Sequence, residues 1–241
     1  MGKKAAFLLV PVLLPGCEGC GGKPPPAAVA PGIATRPPPA DGMDAALDSF
    51  EGKPGEAPQG WRARGGRWIL AADGSAARGP GVLLQDAAAQ DWAVLLKEGA
   101  CTGNLLATVR FKPVSGTEDA SGGLIHRAQD AENYYLCRAN ALEGNFRLYL
   151  FQGNRRETLE SAEVQPPALG TWHTLGFAVQ GDVLTCALDG RTLITHRIDP
   201  AKAPAWGSGR VGLWTKADSR TAFDDLLVTR LPGPAPKEDA P

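Results

Sequence analysis

The chain has 241 residues, of which 30 are Gly and 21 Pro, and 43% are apolar. That is enough apolar side chain for a hydrophobic core, and the composition excludes a coiled coil, a collagen and a multi-span membrane protein. With 25 Lys and Arg against 26 Asp and Glu there is no basic excess, which argues against nucleic acid as a partner.

Residues 1–16 read as an export signal. Lys3 and Lys4 form a short positive region, and residues 5–14 form an apolar run too short to span a bilayer. The run ends in Leu14-Pro15-Gly16-Cys17, which resembles the lipobox of bacterial lipoproteins and marks Cys17 as the lipidated residue. The expectation is an exported protein of the periplasm or cell surface, held to the membrane by an N-terminal lipid anchor. Residues 17–43 follow as a tether. They carry triple prolines at 24–26 and 37–39 and almost no large apolar side chain, so ordering them would not be repaid by burial. The tail, residues 231–241, is similarly Pro-rich. Of the 21 Pro, 11 fall by residue 58 and four lie after Leu231, so the body at 44–230 is not a proline-rich chain.

Within 44–230 sustained helical periodicity is scarce, and short alternating or β-branched runs recur between turn residues. In chain order the predicted strands are 67–72, 82–85, 93–96, 105–112, 124–127, 134–140, 146–151, 157–162, 174–180, 183–188, 192–198, 210–215 and 222–229. Residues 87–91 could form a helical turn. Asp189-Gly190, Gly144-Asn145, Gly153-Asn154 and Gly181-Asp182 have the chemistry of two-residue hairpin loops. So many short strands in one domain predict an all-β fold, a two-sheet antiparallel β-sandwich, expected as a monomer.

Alternation sorts the faces. Leu105, Ala107, Val109 and Phe111 share one face and should enter the core. Tyr134, Leu136, Arg138 and Asn140 oppose Tyr135, Cys137 and Ala139; in the next strand Phe146, Leu148 and Leu150 oppose Arg147, Tyr149 and Phe151. Two successive strands thus each set Arg beside aromatic and amide groups, which is unusual for a merely solvated face.

The run GGLIHRAQDAENYYLCRANALEGNFRLYLFQGNRR, then GTWHTLGFAVQGDVLTCALDGRTL and GRVGLWTKADSRTAFDDLLV, has a recognisable order. Together with the opening FEG…GWRARGGRWIL, it resembles concanavalin A-like lectin/glucanase domains, and among them the bacterial 3-keto-disaccharide hydrolase-like group. The resemblance implies a jelly roll with a concave sheet, in a fold used for sugar binding and glycan cleavage. Fold does not determine activity, so the residues must carry the chemistry.

Laminarinase-type relatives place their carboxylates in a Glu-x-Asp-x-x-Glu strand, and no Glu in this chain is followed two residues later by Asp. A pair assembled from separate strands, such as Asp130 with Asp218, is the remaining retaining arrangement. The 3-keto-disaccharide resemblance implies another route, elimination after proton removal beside a keto group. His126, Asp130 and Glu132 are candidates for its base, and Arg127 or Arg138 for stabilising the enolate. For His126, an exposed strand residue is the simpler reading; His173, in phase with Leu175 and Phe177, should pack with a satisfied ring nitrogen, and His196 is equally unremarkable.

Binding asks less. Sugars are held by aromatic platforms and by planar polar groups on vicinal hydroxyls. Arg127, Asp130, Asn133, Arg138, Asn140, Arg147, Tyr149, Trp214, Lys216 and Asp218 are the candidates, provided their hairpins lie side by side; each is equally at home as ordinary strand surface, and Trp214 as core. Asp224 and Asp225, with Asp189, offer oxygen ligands for the structural Ca²⁺ common in related sandwiches. Cys137 and Cys186 replace apolar residues in alternating runs and read as buried free thiols, although a disulfide between them is conceivable if their strands are neighbours. Two functions follow as expectations: a carbohydrate- or glycoside-binding domain that could also cleave glycosidic bonds, or a non-catalytic structural or protein-interaction module of the cell envelope.

Overall fold

In the computed structural model, residues 45–89, 91–99, 103–204 and 206–233 are described. The export signal, Cys17, the tether, Cys101 and the tail from residue 234 lie outside the described residues. In chain order the strands are β1 (Ala45–Asp48), β2 (Trp61–Arg64), β3 (Trp68–Ala72), β4 (Gly81–Gln85), β5 (Trp92–Lys97), β6 (Leu105–Ser115), β7 (Ser121–Ala128) and β8 (Tyr134–Asn140). They continue with β9 (Asn145–Gln152), β10 (Arg155–Glu163), β11 (His173–Gln180), β12 (Val183–Leu188), β13 (Arg191–Arg197), β14 (Arg210–Lys216) and β15 (Arg220–Arg230). Among the described residues there is no helix, the described part of 87–91 included.

One sheet runs β13-β12-β11-β6-β15-β4-β3, with β1 also on β15; the other runs β10-β9-β8-β7-β14-β5-β2. All pairs are antiparallel. The architecture is therefore the expected two-sheet sandwich. The odd positions of β6 (Leu105, Ala107, Val109 and Phe111) are all wholly buried, packed against Leu148, Phe177 and Leu213 between the sheets. Each such large side chain contributes roughly 1.5–3 kcal/mol by leaving water.

The hairpin chemistry holds at three of four places. Gly153-Asn154 (φ 54° and 66°) and Asp189-Gly190 (φ 50° and 76°) both take positive φ at two successive residues, as a type I′ loop requires. At Gly181-Asp182 only Gly181 does (φ 60°), in a two-residue loop between β11 and β12. Gly144-Asn145 is not the loop: residues 141–144 form the turn and Asn145 already opens β9.

The cysteine expectation is corrected. Cys137 on β8 and Cys186 on β12 form a disulfide, with their Cα atoms 6.1 Å apart. Both side chains point inward, as alternation implied, but from opposite sheets, so the bond crosses the core and ties one layer to the other.

The outer face of the β4–β15–β6 sheet carries a buried acid. Asp224, 1% exposed, sits at a bulge beside Asp225, whose φ is 48°. Burial and the Asp225 charge push its pKa up to about 6. Because the folded value lies above the ordinary aspartate value, this carboxyl favours folding only below about pH 4, and that contribution is lost as pH rises through about 6. Asp224→Asn is therefore expected to stabilise the protein by about 2 kcal/mol at pH 8 and by nothing measurable at pH 3.5. Urea unfolding at the two pH values measures this; equal effects at both would contradict it.

Candidate functional site

The outer face of the seven-stranded sheet is where the sequence placed its basic and aromatic residues, and the register brings them together. Arg147 on β9 pairs with Arg138 on β8, which pairs with Gly123 on β7, then Trp214 on β14, Val94 on β5 and Arg64 on β2. A parallel row runs Tyr149, Leu136, Ile125, Gly212, Leu96 and Arg62. Gly123 is needed within the first row: a Cβ there would lie 2.6 Å from Leu136 Cδ1 and 3.2 Å from Trp214 Cβ.

Aromatic groups form the floor. Trp214, Tyr134, Tyr149, Phe151, Leu136 and Val94 make a second buried cluster, separate from the core between the sheets. Trp92 stacks on Trp214 with ring centroids 6.2 Å apart and meets Phe151 edge-on at 5.2 Å. Trp214, for which sequence reasoning weighed the core, thus belongs to this face instead. Burial raises the Tyr134 pKa well above the usual phenol value, so it is a neutral hydroxyl.

Arginines converge on Tyr149. Arg138 Nη2 and Arg147 Nη1 both donate to its hydroxyl, each at 3.2 Å. The Arg156 guanidinium lies over the Tyr149 ring at 4.9 Å and over Trp92 at 5.4 Å. Arg138 is also paired with Glu143 at 3.0 Å, and Asn145 Nδ2 donates to the same carboxylate oxygen at 2.9 Å. Burial raises the Glu143 pKa, but Asn145 and Arg138 outweigh it and leave the acid below the ordinary value.

At the β2 and β5 end, the face opens on a cavity of about 370 Å³ lined by Arg64, Gly65, Asp91, Trp92 and Asn154, among others. Trp92 Nε1 donates to Asn154 Oδ1 at 2.9 Å, and Arg64 bonds both Asn154 at 3.2 Å and Glu132 at 2.8 Å. Here Trp92 is partly exposed and Arg64 and Arg156 are exposed, whereas the Tyr149 and Trp214 side chains are closed to solvent.

The other predicted residues sort by position. Asn140 shares the face and caps the following turn, accepting from Leu142 N at 2.9 Å. Lys216 ends β14 and reaches Asp119 at 3.5 Å. Arg127 does not join them. It sits at a bulge with φ 51° and donates to Gly181 O at 2.7 Å, toward the opposite sheet. Asp130 and Asn133 build the β7–β8 turn: Asp130 accepts from Glu132 N and Asn133 Nδ2, and Asn133 accepts from Gly153 N. Asp218 holds the opposite end of β7, accepting from the backbone N–H of Thr117, Glu118 and Asp119, which keep its pKa well below the usual range. Asp130 and Asp218 are separated by the eight residues of β7, on the order of 25 Å. A retaining pair needs about 5 Å, so these two do not form one.

His126 is not an exposed residue. It is fully buried between the sheets, 5.3 Å from the Phe177 ring, and neither ring nitrogen has a hydrogen-bond partner. Burial, with Arg127 adjacent, drops its pKa to about 3. A neutral ring closed off in the core cannot act as a base on a solvent-borne sugar. His173 does pack as expected: its Nε2 accepts from Ala168 N at 3.1 Å, so Nδ1 carries the proton given to Asp189 at 2.8 Å. His196 pairs with Glu160 at 2.9 Å. Asp189 therefore lies at a hairpin engaged with His173, apart from Asp224, while Asp225 pairs with Arg78 at 3.1 Å. Among the described residues no three His, Cys, Asp or Glu side chains gather as metal ligands.

Sequence reasoning missed Trp92, Arg64 and Arg156. The signal for Trp92 was the unbroken apolar run Trp92-Ala93-Val94-Leu95-Leu96, which marks a strand covered on both faces. Arg156 needed the register of β10 on β9, which sets it opposite Phe151.

No protein-family model matches the sequence, and no curated protein does. Solved structures share the fold. The carbohydrate-binding module CBM66 of Bacillus subtilis superposes with a TM-score of 0.58 at 18% identity, over 70% of this chain and 95% of its own. A Crh5 transglycosylase does so at 0.53 and 14%, over 79% and 85%. The β-glucanase of Bacillus licheniformis follows at 0.51 and 11%, over 78% and 98%. At these identities the likeness shows the fold, a galectin- and concanavalin-like β-sandwich.

Proposed function

We propose that this β-sandwich is a glycan-binding domain whose ligand enters at the Trp92 end of the seven-stranded sheet. The observation that carries it is the cavity there, where a partly exposed indole is ringed by Asn154, Arg64 and Asp91. A sugar needs an apolar platform for its C–H face and planar polar groups for its hydroxyls, and this rim supplies both. Solved structures of the same fold include a carbohydrate-binding module, which supports the reading without determining the sugar.

Binding without cleavage is the form the geometry favours. Glu132 and Glu143 are each engaged by an arginine, His126 is unreachable, and Asp91 is the single carboxylate in the cavity wall, where cleavage by a carboxylate pair needs two. Hydrolase or elimination activity of the 3-keto-disaccharide type would have to rest on Asp130 or Glu132 at the rim. The disulfide across the core supports export, because such bonds persist in oxidising compartments. Lipidation at Cys17 would then hold the domain at the cell envelope.

A glycan array probed with the purified full chain tests binding, and 3-keto-glycosides test turnover. Trp92→Ala is expected to weaken glycan binding by about tenfold or more, the loss typical of a central aromatic contact. A folded protein that binds no glycan would leave the structural or protein-interaction reading in its place.

A further inference from the structure

The charge around Tyr149 is not balanced. Arg138 and Arg147 are direct cross-strand partners, an arrangement of like charges that costs stability unless something compensates it. Glu143 compensates Arg138. Arg147 and Arg156 form no ion pair among the described residues; they rest on the Tyr149 hydroxyl and on the Tyr149 and Trp92 rings. Three guanidinium groups thus surround one phenol with a single carboxylate paired among them.

The unpartnered groups on the same face point the same way. Arg138, 2% exposed, leaves Nε without a partner, and wholly buried Asn140 leaves Nδ2 without one, while Trp214 Nε1 faces the Tyr134 hydroxyl. Both nitrogens are donors. A buried donor left unmade is costly, so this face carries an excess of donors over acceptors beneath its accessible arginines. Arg147 is half-buried and shares the Glu143 charge with Arg138, and Arg156 is exposed over Trp92, which lines the cavity.

From these observations we infer that the glycan bound here is anionic, its acidic group received by Arg147 and Arg156 on either side of Tyr149. The inference rests on the glycan-binding reading and narrows its ligand class. A planar guanidinium offers paired donors to a uronate carboxylate or to a sulfate or phosphate ester, and the shared chemistry is an oxyanion on a sugar ring.

Isothermal titration of the full chain compares oligogalacturonate, sulfated dextran oligosaccharides and neutral dextran of matched length, at low and moderate salt. At least one acidic glycan is expected to bind about tenfold or more tightly than the neutral one, with the margin shrinking as salt screens it. Preference for the first identifies the carboxylate source, and for the second the ester. Arg156→Gln, at an exposed position where folding is not at stake, and Arg147→Gln should each remove most of that margin. Equal affinity for acidic and neutral chains, or an acidic preference that survives both substitutions, would overturn the inference and leave glycan binding standing. Failure to bind any glycan would sink both.

Discussion

Reduction of the Cys137–Cys186 bond is expected to lower the thermal unfolding midpoint by roughly 10 °C, a loss of about 4 kcal/mol for a domain of this size. The two cysteines are 49 residues apart, so the bond closes a long loop and restricts the unfolded chain strongly. It also joins β8 to β12, strands of different sheets that otherwise meet only through side-chain packing. Calorimetry with and without dithiothreitol measures the effect without substituting any residue. The Cys137→Ala/Cys186→Ala double variant should match the reduced protein apart from a small cavity cost. Midpoints within about 2 °C of each other would show that the bond contributes little.

Acid should destabilise the fold through His126 by a comparable amount. Its folded pKa of about 3 lies below the ordinary value of 6.5, so its contribution is complete above pH 6.5. As pH falls from there the unfolded chain takes up a proton that the folded chain refuses, and stability is lost progressively until about pH 3. The full excursion is on the order of 4 kcal/mol. Asp224 opposes it over part of the range, since protonating that buried acid favours folding between about pH 6 and 4. His126→Phe keeps an aromatic ring against Phe177 and removes both unpartnered nitrogens. Its urea midpoint should exceed the parent's at pH 4 and at least equal it at pH 7. If the two proteins lose stability in parallel between pH 7 and 4, His126 is not the group responsible.

Both effects come from one property of the chain: side chains that alternation sends inward meet partners from the other layer. In β8 the period of two places Tyr135, Cys137 and Ala139 inward, and the core contains all three. The same period sends Arg138 and Asn140 outward beside Arg147 and Tyr149, and the register puts them on one face. For His126 the alternation was equally plain, since it is in phase with Leu124; reading it as exposed gave its polarity more weight than its phase. Alternation did not reveal the short strands β1 and β2, because four residues carry too little of it to stand out from the surrounding loops.

The all-β class, most of the strands and the inward or outward sense of residues in β6, β8 and β9 were readable in the sequence alone, as was the lack of a Glu-x-Asp-x-x-Glu strand. These follow from local geometry, because successive side chains of a strand must take opposite sides. Which residues meet is a different matter. Asp130 and Asp218 looked like possible partners until β7 placed them at its two ends, and Cys137 and Cys186 looked like separate thiols until the sheets brought them face to face. Likewise Trp92, Arg64 and Asn154 come from β2, β5 and the β9–β10 loop, yet line one cavity. Strand order and register, set by pairings between distant parts of the chain, decided those neighbours.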